Sequence, residues 1–178
     1  NNIEIFSFCD GLGSDSAILQ APQTSRNYAW RDYGNRVGQW YLFDLLDEYQ
    51  FPVSHNFNSL LFENCPQIAD RAISRGDEFI GHGRTNGESQ AAMNEECEKE
   101  LILESYNAIK DYTGCEPKGW LGPYLAQTDV TLDLLQEIGF SYVLDWPADD
   151  QPFWMKTRNG KILSVPYSIE LNDSPAMV

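Results

Sequence analysis

Two side chains that can move protons stand in or directly after predicted strands. Glu4 lies in an apolar run, residues 3–8, whose alternation predicts a strand. A buried carboxylate without a partner is costly, which favours a role for Glu4 in a site. His82 directly follows the predicted strand at residues 78–81 and has a glycine on each side, so a ligand can approach its imidazole closely. A carboxylate and an imidazole at neighbouring strands can together activate a water molecule for hydrolysis.

The histidines and cysteines limit which kinds of metal site and redox site are possible. The chain has only two histidines, His55 and His82, so a three-histidine zinc site within one chain is excluded. No motif surrounds His55, which is expected to be a core residue. The four cysteines, at positions 9, 65, 97 and 115, contain no CxxC pair, which excludes a zinc ribbon and a thioredoxin-like motif. We expect free thiols and a reducing compartment, which favours the cytoplasm.

Hydrophobic periodicity and turn residues indicate an alternation of strands and helices. Strands are predicted at residues 3–8, 52–57, 78–81, 118–121 and 140–144, helices at 36–49, 65–75, 94–112 and 129–138, and a hairpin at 153–157 and 161–165 around an Asn-Gly turn. Gly76, Gly114 and Gly139 are expected to end three of the helices. The glutamates between residues 95 and 104 are expected to form a solvated face.

Repeated βα units of this kind predict a parallel sheet with helices outside it, either doubly wound or curled into a barrel. Residues 9–27 are rich in turn-forming types and are predicted to be a long functional loop. In barrels the active site is built at the carboxyl ends of the strands. The polar residues that follow the predicted strands are therefore the first candidates for a site.

Size and charge limit the partners. The chain has 178 residues, which predicts a single domain over residues 1–178. A net charge of −15 disfavours nucleic acid and anionic membranes as partners, and no apolar run is long enough to span a membrane. Both ends look like interior sequence, so the domain is expected to be truncated at both ends. Open strand edges in a short chain make a homo-oligomer plausible.

Several motifs arrive in order at predicted strand ends. They are residues 28–36 (YAWRDYGNR), 81–86 (GHGRTN), 119–123 (GWLGP), 144–146 (LDW) and 165–167 (VPY). With this order and spacing the chain resembles the polysaccharide deacetylase family (NodB homology, carbohydrate esterase family four). The similarity is greatest to the branch with cofactor-free allantoinases and peptidoglycan-deacetylase-like proteins. The resemblance implies an α/β fold, a deformed (β/α) barrel of about seven units.

The resemblance also implies hydrolysis of a non-peptide carbon–nitrogen bond. Typical members have an Asp pair after the first strand and a His-x-x-x-His motif after the third, and these hold a divalent metal and supply the base. Here His82 matches the first histidine and Asn86 stands in place of the second. Glu4 matches the first carboxylates, with Asp10 as the runner-up, and Leu121 stands near the usual arginine. Glu4, His82 and Asn86 are thus expected either to form a weak site for a divalent ion such as zinc, or to work without metal.

The late motif adds Asp145, which matches a carboxylate that orients a catalytic group. Arg36 can clamp a carboxylate or ureide, or it can form an ion pair on the surface. Aromatic faces commonly bind sugars, although tryptophans of small domains are more often core residues. The residues expected to contact substrate are Asn86, Arg36, Trp120, Tyr124, Trp146 and Tyr167.

These inferences predict a hydrolase with Glu4, His82 and Asp145 as catalytic residues and a small molecule or carbohydrate as substrate. Within the family, either a deacetylase of N-acetylated carbohydrate or an allantoinase-like amidohydrolase fits. The missing Asp pair and Asn86 favour the second. The alternative from another class is a non-catalytic carbohydrate-binding protein on the same scaffold.

Overall fold

The computed structural model describes residues 1–6 and 25–171. The strands are β1 (Asn2–Ile3), β2 (Ser54–Phe57), β3 (Glu78–Gly81), β4 (Gly119–Trp120), β5 (Tyr142–Val143), β6 (Phe153–Thr157) and β7 (Gly160–Ser164). The α-helices are α1 (Ser25–Tyr33), α2 (Gln39–Glu48), α3 (Leu61–Asn64), α4 (Pro66–Arg75), α5 (Glu95–Thr113) and α6 (Thr131–Ile138). A π-helical turn, Gly34–Gly38, joins α1 to α2, and short 3-10 turns occur at Gln90–Ala92, Pro123–Leu125 and Ile169–Leu171.

The strands form one sheet in the order β1-β2-β3-β4-β5-β7-β6. Neighbouring strands are parallel except for the antiparallel hairpin of β6 and β7. This confirms the predicted α/β class with repeated βα units. Within the part of the chain that the structure describes, the sheet is not closed, and β1 and β6 form its edges. Because β1 to β5 are parallel, their carboxyl ends lie along one edge of the sheet.

Two hydrophobic clusters pack the helices onto the sheet. The first covers β1 to β3 and includes Phe43 of α2, Phe57 of β2 and Ile68 of α4. The second covers β4, β5 and β7 and includes Trp120 and Leu134. Together they bury one face of the sheet and leave its carboxyl edge to polar residues.

The predicted helix ends agree with the structure where a capping residue marks them. Asn94 caps α5 by accepting a hydrogen bond from the backbone N–H of Cys97 at 2.9 Å. Gly76 ends α4 in a left-handed conformation with φ of 76°, and Gly114 ends α5 in the same way. These helices therefore begin and end within about two residues of the predicted positions.

Other boundaries differ from the prediction. The predicted helix at 36–49 extends back to Ser25 through the π-helical turn, so residues 25–27 are helical and not part of the loop. The rest of that loop, residues 9–24, lies outside the described residues. The first strand is limited to two residues, and residues 4–6 continue without regular structure. The last helix begins at Thr131, two residues later than predicted, after a turn in which Thr131 Oγ1 accepts the backbone N–H of Thr128 at 2.9 Å.

One residue of the expected acidic face lies in the interior instead. Glu98, in the first turn of α5, is fully buried. Its carboxylate accepts hydrogen bonds from Gln90 Nε2 at 2.9 Å, from Thr128 Oγ1 at 2.5 Å and from Thr131 Oγ1. Three donors compensate for the loss of water around this group. Glu98 thus ties α5 to the loop that follows β4.

Two further findings concern membrane-spanning helices and the cysteines. In the described part of the chain, no helix is long and apolar enough to cross a membrane. Cys65, Cys97 and Cys115 are free thiols, while Cys9 lies outside the described residues.

Candidate active site

The segment after β1 is tied to the loops that follow β2 and β3. The backbone N–H of Ile5 donates to Asn58 Oδ1 at 2.9 Å, and the backbone N–H of Asn86 donates to the carbonyl of Ile5 at 2.8 Å. The amide of Asn58 also donates to the carbonyl oxygen of His82. These bonds place Glu4 beside the residue that follows β3.

Glu4 and His82 face each other, as the sequence predicts. Oε1 of Glu4 lies 3.5 Å from Nε2 of His82. The side chain of His82 is 3% exposed, whereas that of Glu4 is 26% exposed and can be reached by water. The separation is too long for a strong direct hydrogen bond, but it is short enough for one water molecule beside the pair to contact both groups.

The tautomer of His82 follows from its second nitrogen. Nδ1 lies 2.5 Å from the carbonyl oxygen of Leu121, which can only accept, so Nδ1 carries the proton. In the neutral ring Nε2 then presents a lone pair towards Glu4. This buried Nε2 has no hydrogen-bond partner among the described residues. A buried, unsatisfied acceptor beside a carboxylate has the arrangement of a general base.

Asn86 is buried near the same segment. Its side-chain Oδ1 has no hydrogen-bond partner among the described residues. Residues 82–86 form an irregular loop with Gly83 at φ of 64°. The backbone bond to Ile5 holds Asn86 beside the segment that carries Glu4.

A divalent metal does not fit well on this set of donors. Within residues 1–6 and 25–171, no three histidine, cysteine or acidic side chains are grouped so as to hold a metal ion. Glu4 and His82 offer two strong ligands, but the amide oxygen of Asn86 is neutral and weak for zinc. A catalytic zinc usually takes three protein ligands. These residues therefore fit a mechanism without a bound metal better than they fit a zinc site.

Asp145 follows β5 and is buried close to His82. It accepts the backbone N–H of Gly122 at 2.7 Å and a hydrogen bond from the amide of Gln127. Burial raises the pKa of Asp145 to about 7, while its two donors and the nearby imidazole of His82 act in the opposite direction. Asp145 therefore titrates near neutral pH, as functional carboxylates often do.

Gln127 and Trp146 extend this cluster towards solvent. Trp146 Nε1 donates to Gln127 Oε1 at 2.8 Å, and the Trp146 side chain is partly exposed. The sequence did not single out Gln127, because a glutamine in a loop without a motif gives no signal. Its place between an Asp and a Trp emerges only from the fold.

Tyr124 and Arg31 lie on the Glu4 side of the site. Tyr124 and Leu125 have φ of 61° and 56°, a conformation that is strained for residues other than glycine and clusters at functional sites. Burial raises the pKa of Tyr124, and the charges of Arg31 and Glu4 also act on it. Arg31 belongs to the motif at residues 28–36 but was not predicted to be a site residue. Its guanidinium stacks 4.1 Å from the centre of the Phe6 ring, and burial lowers its pKa.

Two residues expected to contact substrate lie elsewhere. Trp120 is fully buried in the second hydrophobic cluster, packed edge-on against Phe140, so its predicted contact with substrate is wrong. Its side chain lies on the face of the sheet that the helices cover. Arg36 is exposed and forms an ion pair with Asp32 one helical turn earlier, which is the surface alternative for this residue.

The remaining candidates occupy different positions. Tyr167 lies beside the end of β5, where its backbone N–H donates to the carbonyl of Leu144 at 3.3 Å. His55 is fully buried in β2 and bonds through Nε2 to Asp77 at 3.0 Å, so it is a core residue. Burial lowers the pKa of His55, although Asp77 opposes this effect. Asp10 lies outside the described residues.

Comparison with known proteins agrees with this architecture. A family model described as polysaccharide deacetylase matches residues 28–143. A peptidoglycan deacetylase of Helicobacter pylori (strain ATCC 700392 / 26695) is 26% identical over 142 residues, which are 79% of this chain and 48% of that protein. The chain thus spans about half the length of this curated relative.

Solved structures give the same result. PuuE allantoinase superposes with a TM-score of 0.77 at 26% identity, over 86% of this chain and 50% of that one. A putative polysaccharide deacetylase from Mycobacterium smegmatis superposes with a TM-score of 0.78 at 25% identity, over 84% and 52%. A probable polysaccharide deacetylase from Pseudomonas aeruginosa PAO1 shares the fold, with a TM-score of 0.78 at 24% identity over 97% and 56%. With the family model covering most of its length, this chain belongs to the polysaccharide deacetylase family.

Proposed function

We propose that this protein hydrolyses the amide bond of an N-acetylated carbohydrate, with Glu4 and His82 acting on one water molecule. The observation that carries this proposal is the 3.5 Å separation between the Glu4 carboxylate and the buried Nε2 of His82, which has no hydrogen-bond partner among the described residues. Residues 1–178 would belong to one catalytic domain.

A water molecule beside the pair donates a hydrogen bond to Nε2 of His82 and also contacts the carboxylate of Glu4. Its oxygen lone pairs then point away from both groups and towards the substrate carbonyl carbon. As the oxygen attacks, Nε2 of His82 takes the proton, and the carboxylate of Glu4 stabilises the imidazolium that forms. The hydrogen bond from Nδ1 to Leu121 keeps the ring in the orientation and tautomer that this transfer needs.

The later steps use the same imidazole. The imidazolium of His82 returns its proton to the departing nitrogen, so that the amine leaves and the carboxylic acid remains. The side-chain amide of Asn86 is suited to donate to the oxyanion that develops on the carbonyl oxygen. Asp145, near His82, would support the positive charge of the imidazolium. A divalent ion would have Glu4 and His82 as its ligands, with Asn86 as a weak third.

The relatives support two substrate classes. The Helicobacter pylori relative and the Mycobacterium smegmatis structure carry names of carbohydrate deacetylases. A cyclic ureide is the second candidate, because Asn86 replaces the second histidine of the metal motif and an allantoinase superposes at 26% identity. Both reactions need an activated water and an oxyanion donor.

Kinetics on a panel of N-acetylated sugars and cyclic ureides tests this proposal. The purified protein should release acetate from the first group or open the ring of the second. Glu4→Gln and His82→Ala should each reduce turnover about 10²–10⁴-fold, while circular dichroism and the melting temperature show that the fold survives. Glu63→Gln, an exposed glutamate of α3, is the matched control and should keep the full rate.

Two results would overturn the proposal. One is an unchanged rate in both site variants. The other is sugar binding by calorimetry without release of acetate or ammonia, which would indicate a carbohydrate-binding protein on this scaffold.

A further inference from the structure

The exposed Trp146 is held by a chain of hydrogen bonds that ends on a buried carboxylate. Trp146 Nε1 donates to Gln127 Oε1 at 2.8 Å, and Gln127 Nε2 donates in turn to Asp145. We propose that Gln127 is a positioning residue, which fixes the ring of Trp146 as the aromatic surface for substrate at the mouth of the site. The role of that surface in substrate binding rests on the proposed function.

The donors and acceptors in this series of hydrogen bonds allow only one orientation of the Gln127 amide. The indole N–H can only donate, so the amide of Gln127 must turn its oxygen towards Trp146. Its nitrogen then points at Asp145, whose carboxyl oxygens accept it and the backbone N–H of Gly122. The ring is thus tied to the carboxylate that lies near His82, through one side chain.

The backbone on either side of Gln127 is also fixed. Gly122 is bound to Asp145 before it, and Thr128 donates to the buried carboxylate of Glu98 at 2.5 Å after it. The backbone N–H of Ala126 donates to the carbonyl of Pro123 at 3.2 Å. Gln127 therefore lies in a loop that several hydrogen bonds hold in place, so its side chain can keep the indole in one orientation.

The location of Trp146 indicates why a fixed orientation of its ring matters. Its side chain is 39% exposed, directly after the carboxylate at the end of β5. A tryptophan at such a place would sample several rotamers if its N–H bonded only to water. Fixing the ring in advance lowers the entropy lost when a sugar or ureide packs on its face.

Tryptophan fluorescence tests the positioning without any substrate. Gln127→Leu keeps the size of the side chain and removes both hydrogen bonds. It should increase acrylamide quenching of the native protein, and the increase should vanish in a Trp146→Phe background. Gln67→Leu, the same change at an exposed glutamine of α4, is the control and should leave quenching unchanged. Unchanged quenching in Gln127→Leu, or an increase that persists without Trp146, would overturn the proposal.

Kinetics test the consequence for substrate. KM should rise roughly 3- to 10-fold in Gln127→Leu, the range for one side chain that must be ordered on binding. A change in kcat would report the donor that Asp145 loses and does not bear on the position of Trp146. The double variant with Trp146→Phe should be no worse than the poorer single variant. Increases in KM that multiply, or an unchanged KM, would contradict the role. A wild-type protein that turns over no substrate refutes the proposed function instead, while the quenching still decides the positioning.

Discussion

Replacing Asn86 by histidine should convert the Glu4–His82 pair into a zinc site with three strong ligands. The side-chain oxygen of Asn86 is buried and lacks a partner among the described residues, so its replacement breaks no hydrogen bond to that atom. The backbone N–H of residue 86 would still bind Ile5 and hold the new imidazole in place. Glu4, His82 and the introduced ring then form the ligand set that a catalytic zinc usually takes.

The size of the effect can be worked out. Changes beyond the ligands themselves already alter metal affinity 10- to 100-fold, so we expect a gain of about 100-fold or more from a third strong ligand. At a zinc concentration about 100 times the Kd of the variant, binding adds about 2.7 kcal/mol to its free energy of unfolding. The wild type, with a Kd about 100 times weaker, would gain only about 0.4 kcal/mol.

Thermal unfolding with and without zinc measures this difference. One kcal/mol corresponds to roughly 2–4 °C for a chain of this size, so the variant should gain roughly 5–11 °C and the wild type at most about 2 °C. Asn86→Gln, which keeps a neutral amide, should behave like the wild type. A folded Asn86→His variant without a zinc-dependent shift would show that the three side chains do not converge on one point.

Three further predictions concern pH, the core and metal. Burial lowers the pKa of His55 in the folded protein, so the unfolded state binds protons more readily at this residue, and His55 lowers stability as the pH falls through 6.5. The raised pKa of Asp145 acts in the opposite direction over the same range. The test is therefore a comparison: between about pH 7.5 and about pH 5.5, the urea midpoint of the wild type should fall relative to that of His55→Gln. Trp120→Ala should cost about 3–5 kcal/mol of unfolding free energy. Trp120→Phe should leave KM unchanged. An altered KM would show that Trp120 contacts the substrate. Dialysis against a chelator should leave turnover intact, and a loss that zinc restores would refute the metal-free mechanism.

The sequence predicted the parts of the fold that have a strong local signal. Helix α5 begins at the cap residue Asn94 and ends at Gly114, and both residue types act through the backbone around them. The proximity of Glu4 and His82 also followed, because residues that follow parallel strands of one sheet lie along the same edge, although β2 separates β1 from β3. Such features need only short-range chemistry and the order of the elements.

Other features depend on the tertiary structure. β4 has two residues, too short for alternation to decide which face Trp120 takes, and the core decided it. In the sequence, Glu98 is one glutamate among several on a helix. It can be buried because three hydrogen-bond donors from other segments contact its carboxylate. The role of Gln127 requires Asp145 and Trp146 on the adjacent strand end, a proximity that no local pattern encodes.

A double-mutant cycle on Glu4 and His82 tests the central claim, that both side chains act on one water molecule. The measurement is kcat/KM for Glu4→Gln, His82→Ala and the double variant on the substrate that the wild type hydrolyses best. Each single variant should lose about 10²–10⁴-fold, the range for general base catalysis. The double variant should lose no more than the more damaged single variant, because either change disables the same unit. Single variants at the wild-type rate, or losses that multiply in the double variant, would contradict the mechanism.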